Sequence, residues 1–156
     1  MTKILRMIVL VVLVAFLGFQ IQIPKMHEEP FENVLKTTIN NVDLSQYEVM
    51  SNQKIRRFLN LDPNDFESII FYRNNDPMQA SEFVLVKFKD MNQSQSFEEC
   101  MHDRIDSQID IFEGYIDEEV SLLKKAVILV DGNYALYAVG DFTNTVQSQF
   151  LESIGE

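Results

Sequence analysis

Three groups of side chains in this sequence have types and spacings that invite chemistry. Cys100 and His102 offer a thiol and an imidazole two residues apart, the pairing that a nucleophile and its base would need. On the helix that the surrounding pattern predicts, two residues turn about 200° around the axis, so these side chains point apart and cannot touch. Arg104, Gln108 and Tyr115 follow one another by four and seven residues and form a polar column at the edge of the same helix. A guanidinium there favours a carboxylate partner, and Glu82, at the start of a predicted strand, is the first choice. Such a column either pins the helix to a sheet or lines a groove for an anionic ligand, and pinning is the commoner use of an arginine ion pair. The third group is acidic: Glu99, Asp103, Asp106, Asp110, Glu113 and Asp117 step by threes and fours along one helix face. Calcium cages need convergent loop oxygens, and no calcium-loop spacing is present, so the stripe reads as a solvated face ahead of a cation or basic-partner site.

Other chemistries lack their residues. His27 is the second of only two imidazoles, so the ligand count fails for zinc, and no metal or cofactor is expected. Gly132, Gly140 and Gly155 make no phosphate cradle, and there is no Gly-x-Ser-x-Gly. The 24 acids supply many candidates for a carboxylate-pair hydrolase, but no pattern singles out a pair. Lys54, Arg56 and Arg57 cluster on one predicted helix face, open to an anionic polymer or simply to water. Net charge is −11, and the segment after Pro24 sets 11 basic residues against all 24 acids. Such a surface repels nucleic-acid backbones and anionic headgroups, so no nucleic-acid partner is expected. With Cys100 alone, no internal disulfide is possible, and the fold must rest on its core.

The elements that position these residues begin with a membrane signal. Lys3 and Arg6 precede an apolar run from Met7 to Phe19, and Pro24 closes the segment. Extended to Ile23, the run spans roughly 25 Å as a helix, just enough for a bilayer. Leu17, Phe19 and Ile21 occupy positions where a signal peptidase wants small residues, and no Cys stands at the boundary for lipid attachment. Residues 1–23 therefore read as an uncleaved transmembrane signal anchor. With the positive charges on its N-terminal side, the bulk of the chain lies outside the cytoplasm, on a single-pass cell-membrane protein. Residues 24–30, with two prolines, read as a juxtamembrane spacer, and 31–156 as one extracytoplasmic domain.

Within that domain, Phe31, Val34, Leu35 and Ile39 predict a short helix after Pro30, and Asn52 to Leu59 a second. Strands follow at Glu67 to Arg73 and Glu82 to Lys89, joined through Asn74-Asn75-Asp76-Pro77. The longest helix runs from about Ser96 to Gly114, its apolar arc formed by Met101, Ile105, Ile109, Phe112 and Ile116. Ala126 to Val130 and Tyr134 to Val139 form a second hairpin around Asp131-Gly132-Asn133, and Asn144 to Ser153 a last helix. The expected fold is α+β: one antiparallel sheet of about four strands, two hairpins, with helices packed on one face.

From about Gln53 to Phe150 the order of landmarks resembles the domain of unknown function 4358 family of extracytoplasmic bacterial proteins. The resemblance rests on Arg57-Phe58 with Leu61-Asp62-Pro63, on Glu82-Phe83-Val84-Leu85-Val86-Lys87, on Arg104-Ile105-Asp106-Ser107-Gln108 with Phe112-Glu113-Gly114-Tyr115, and on Leu123 followed by Gly132-Asn133-Tyr134. It implies a small secreted, lipoprotein or membrane-anchored domain of a Gram-positive cell envelope, with Glu82, Arg104, Gln108, Tyr115 and Tyr134 at pattern positions. Many members carry a lipobox Cys, which this chain lacks, so its own helix must anchor it. The resemblance also implies an accessory role near envelope-polysaccharide acylation, and no activity.

Together these readings favour a non-enzymatic, membrane-anchored module that binds another envelope protein or a cell-surface polymer. The alternative is a small-ligand sensor or carrier with a groove between the long helix and the sheet, using Arg104 as the anion contact.

Overall fold

The computed structural model describes residues 26–155, with Met7 and Val9 placed singly before them. The expected anchor, residues 1–23, otherwise lies outside the described residues, as do Pro24 and Lys25. Among the described residues, no helix is long and apolar enough to cross a membrane.

In chain order the elements are α1 (Phe31–Thr38), β1 (Tyr47–Val49), α2 (Asn52–Leu59), a 3₁₀ turn (Pro63–Asp65), β2 (Ser68–Asn74), β3 (Glu82–Lys87), α3 (Gln93–Phe112), α4 (Asp117–Leu123), β4 (Val127–Asp131), β5 (Tyr134–Val139) and α5 (Thr143–Ser153). The strands form one antiparallel sheet in the order β1-β2-β3-β5-β4. The α+β class and the single antiparallel sheet are as the sequence predicts. A fifth strand, β1, adds to the expected four. At three residues it is too short to leave a hydrophobic period, and it forms because it pairs with β2, Glu48 opposite Arg73.

Helices cover both faces of the sheet, not one. Side chains alternate along a strand, so Ile69, Phe71, Val84, Val86, Ala135, Tyr137 and Val139 share one face. They pack against Ile55 and Leu59 of α2, Phe97, Met101 and Phe112 of α3, and Val120 and Leu123 of α4. Phe83, Leu85, Tyr134, Leu136 and Ala138 point the other way, onto Val34 of α1 and Val146 and Phe150 of α5. The central strands β3 and β5 are apolar on both sides and almost wholly buried, as a sheet sandwiched between helix layers requires.

Local chemistry sets the breaks. Ser51 caps α2 by accepting from the Lys54 N–H at 3.4 Å, and Asn60 ends that helix in the left-handed region at φ 55°. The long helix stops at Phe112, with Gly114 at φ 73° two residues on. Ile116 and Asp117 thus leave the arc and stripe predicted for the long helix. Asp117 opens α4, where three acids in the first turn suit a helix N-terminus. Glu119 then ties α4 to the loop before β3, accepting from the Ala80 N–H at 2.7 Å while 5 % exposed.

Candidate functional site

Residue parity in two central strands and helix spacing in α3 build the principal polar cluster. Glu82 opens β3 on the face toward α3, opposite Val139 of β5, and Tyr137, two residues back along β5, projects to the same side. Arg104 descends from α3 within its buried row of Phe97, Met101, Arg104, Gln108 and Phe112. Its Nε donates to Glu82 Oε1 at 2.9 Å and its Nη2 to Oε2 at 2.8 Å, the bidentate fork that matches a carboxylate. The Tyr137 hydroxyl donates to Oε1 at 2.9 Å, so Glu82 accepts three hydrogen bonds while only 1 % exposed. Burial works against the Arg104 charge, but the hydrogen bonds and charge of Glu82 outweigh it and hold the guanidinium above its ordinary range. Burial, then the neighbouring Glu82 charge and its hydrogen bond, push Tyr137 well above the usual tyrosine range.

Beside the cluster, the Phe58 ring collects three guanidiniums, with the Cζ atoms of Arg73, Arg57 and Arg104 at 4.8, 5.7 and 5.8 Å from its centroid. Arg104 also points Nη1 at the Phe58 carbonyl, 3.4 Å away. A small groove of about 190 Å³ opens here, lined by Phe58, Leu59, Asn60, Cys100, Asp103, Arg104 and Ser107. Burial, then Asp103 and Glu99, raise the Cys100 thiol, which makes it a poor nucleophile. Among the described residues, no three His, Cys, Asp or Glu side chains gather to hold a metal ion.

A second polar cluster lies at the far end of the β4–β5 hairpin. The two-residue turn Gly132-Asn133 puts Gly132 at φ 57°, which a glycine takes without strain. Asn133, 3 % exposed, accepts from the His27 backbone N–H at 2.8 Å and donates from Nδ2 to the His27 carbonyl at 3.2 Å. His27 Nε2 stands 3.2 Å from Asp131 Oδ1, within charge-contact distance but not aligned as a hydrogen bond. The Tyr134 hydroxyl donates to the Glu29 carbonyl at 2.7 Å, and Phe31 stacks on the Tyr134 ring at 6.5 Å. The described part of the predicted spacer is therefore strapped to the hairpin.

Of the five residues singled out from the sequence, Glu82 and Arg104 meet directly, and Gln108 lies buried one helical turn beyond Arg104. Tyr115 sits past the end of α3, 76 % exposed, and Tyr134 faces the opposite side of the sheet. Arg104 and Gln108 occupy the middle of the buried row, not the edge of the apolar arc. Tyr137, Phe58, Arg73 and Asn133 were not among the site residues expected from the sequence, although Phe58 and Asn133 stand among the landmarks of the resemblance. For Tyr137 a signal existed: it differs in strand parity from Tyr134, so only one of the two could share a face with Glu82.

The family profile described as Domain of unknown function (DUF4358) matches residues 40–140. That range holds every strand, α2 to α4, and the whole Glu82, Arg104 and Tyr137 cluster, while α1 and α5 fall outside it. No curated protein and no solved structure matches the chain. With about two thirds of its length under the profile, the chain belongs to the DUF4358 family.

Proposed function

We propose that this protein is a membrane-anchored, extracytoplasmic, non-enzymatic module that binds a cell-surface polymer or another envelope protein and so positions or regulates it. Residues 1–23 are its anchor, by their basic flank and apolar run. The observation that carries the reading is that both oxygens of Glu82 are engaged. A carboxylate whose oxygens already accept from Arg104 and Tyr137 is poorly placed to take a proton from a substrate or to attack one. The residues best suited to chemistry are thus engaged in holding α3 to the sheet, and the surface beside them offers recognition: a groove, an aromatic ring and guanidiniums. Accessory work on envelope-polysaccharide acylation is the setting in which such a module fits.

The sensor or carrier reading draws support from Arg104 lining the groove. Its volume of about 190 Å³ falls below the roughly 300–1,000 Å³ of small-molecule sites, which favours a grasp on part of a larger partner.

A photo-reactive residue at Asn60, in the groove, and another at Tyr115, exposed elsewhere, test the reading in intact cells. Adducts with envelope material from Asn60 and not from Tyr115 are expected. Equal labelling from both sites, or a domain shielded from protease in wall-stripped cells, overturns it.

A further inference from the structure

The two edges of the sheet are built differently. β1 is three residues long, with Glu48 at its centre held by Lys54 at 2.6 Å, a short and charged edge of the kind that discourages further pairing. β4 has no such protection. Its five residues, Val127-Ile128-Leu129-Val130-Asp131, pair with β5 without a bulge and are uncharged up to Asp131. All five are half-buried, where every residue of β5 is buried. In a two-residue hairpin the residues flanking the turn, Asp131 and Tyr134, exchange hydrogen bonds, and such pairs alternate along the ladder. Leu129 and Val127 therefore also bond to β5, and Ile128 and Val130 turn their N–H and C=O groups outward. Among the described residues, no other backbone segment meets them. Charges at the two ends of the strand are unmatched as well. Lys125, exposed just before β4, has no ion-pair partner among the described residues. Asp131 meets only His27, and its Oδ2 has no donor.

We infer that the β4 edge is a docking surface for a second copy of this chain, joined antiparallel about Ile128 so that the two sheets become one. Only registers that bring outward-facing groups together form bonds, and charge chooses among them. With Ile128 opposite itself, Val127 faces Leu129, Val130 faces Ala126, and Lys125 faces Asp131 on each side of the axis. Centring on Leu129 instead sets Asp131 against Val127 and leaves Lys125 without a carboxylate. The Ala126 N–H already bonds to the Leu123 carbonyl, so the seam is held by the Ile128 pair in both directions and by each Val130 N–H on the facing Ala126 carbonyl. Residues directly opposite in a sheet point to the same face, so the two-fold axis stands normal to the sheet and both copies keep α1 and α5 on one side. The strap at His27 and Glu29 lies on that same face, beside Tyr134, so both chains leave toward one membrane, which fits the anchor proposed above. Two copies confined to one membrane meet at a high effective concentration, which suits a narrow seam. Their like net charges of −11 repel only weakly, because at physiological salt charges farther apart than about 8 Å are screened. The inference goes beyond the binding-module reading and stands without it, since pairing of purified chains needs no envelope component.

The test uses the full chain in detergent micelles, with Cys100→Ser and a single new cysteine, Val127→Cys or Leu129→Cys. Opposite residues of a non-hydrogen-bonded pair stand about 4.5 Å apart at Cα, within disulfide reach, whereas each of these residues lies farther from its own copy. On mild oxidation a mixture of the two chains is expected to cross-link about tenfold faster than either chain alone, or than Val49→Cys, exposed on the other edge. In sedimentation the wild-type chain is expected to dimerise. Lys125→Glu, in an exposed turn that the monomer fold does not need, should raise the dissociation constant about tenfold, and adding Asp131→Lys should restore it. A chain that stays monomeric, a mixture that cross-links no faster than Leu129→Cys alone, or a Lys125→Glu dimer of wild-type affinity overturns the inference.

Discussion

On the face of the sheet under α2, α3 and α4, the central polar contact is ionic: Arg104 and Glu82, 2.8 Å apart, sealed at 9 % and 1 % exposure. On the opposite face and its hairpin end the hydrogen bonds that hold the strap are neutral: Asn133 clasps the His27 backbone, and Tyr134 reaches the Glu29 carbonyl, while the ion pair on that face, Lys87 with Glu67 at 3.0 Å, leaves the carboxylate half exposed. The ionic contact joins elements that all lie within residues 40–140, whereas the neutral one ties a segment outside that range to the hairpin. The difference is one of consequence. A buried charge pair is intolerant of losing one member, because the survivor stays charged in a poor solvent. A backbone clasp loses only its own hydrogen bonds and releases a terminal strap that can regain them from water.

The largest test of that contrast is Glu82→Gln, which leaves the Arg104 charge without its counter-ion and should cost about 3–5 kcal/mol in denaturant unfolding. The apolar double variant Glu82→Leu with Arg104→Met should recover most of the loss. A double variant as unstable as the single one would mean that packing, and not charge, dominates that face. Asn133→Ala should cost less, about 1–3 kcal/mol, and locally. Amide exchange should rise at His27 and neighbouring residues while β3 and β5 stay protected, and a global loss of protection would erase the distinction between the faces.

Tyr137→Phe should have the smallest effect at neutral pH, about 1 kcal/mol for the lost hydrogen bond. Its diagnostic is alkaline. Because folding raises the Tyr137 pKa, the tyrosine's contribution is fully present below its unfolded value of about 10 and is lost as pH climbs from there toward the folded value. Stability measured above pH ~10 should therefore fall less steeply in the variant. Burial, then Glu67, Glu29 and Glu32, raise Tyr134 as well, so part of the alkaline slope should persist in Tyr137→Phe. An unchanged slope would place the titration on the strap face alone.

Much of the fold was legible in the sequence. The residues of α2, predicted as Asn52 to Leu59, and of β5, predicted as Tyr134 to Val139, agree with the structure because a cap, a turn and a hydrophobic period mark both ends. The two-faced burial was legible too, though easily passed over: Phe83-Val84-Leu85-Val86 and Tyr134-Ala135-Leu136-Tyr137 have no polar alternation, the mark of a strand covered on both sides. The short β1 and the separate helix α4 were less so. Three residues carry no period, and acids after a glycine can extend a stripe as readily as start a helix.

By themselves, residue type and spacing determined the α+β class, the antiparallel hairpins, the pairing of Glu82 with Arg104, and the basic and apolar character of the first 23 residues. Which tyrosine completes the ion pair, where the strap lands and which arginines reach the Phe58 ring were decided by strand register and helix docking. The reason is physical: period and capping are local free energies written along the chain, while register and docking are set by contacts between residues 22 to 106 positions apart, whose partners no local pattern names.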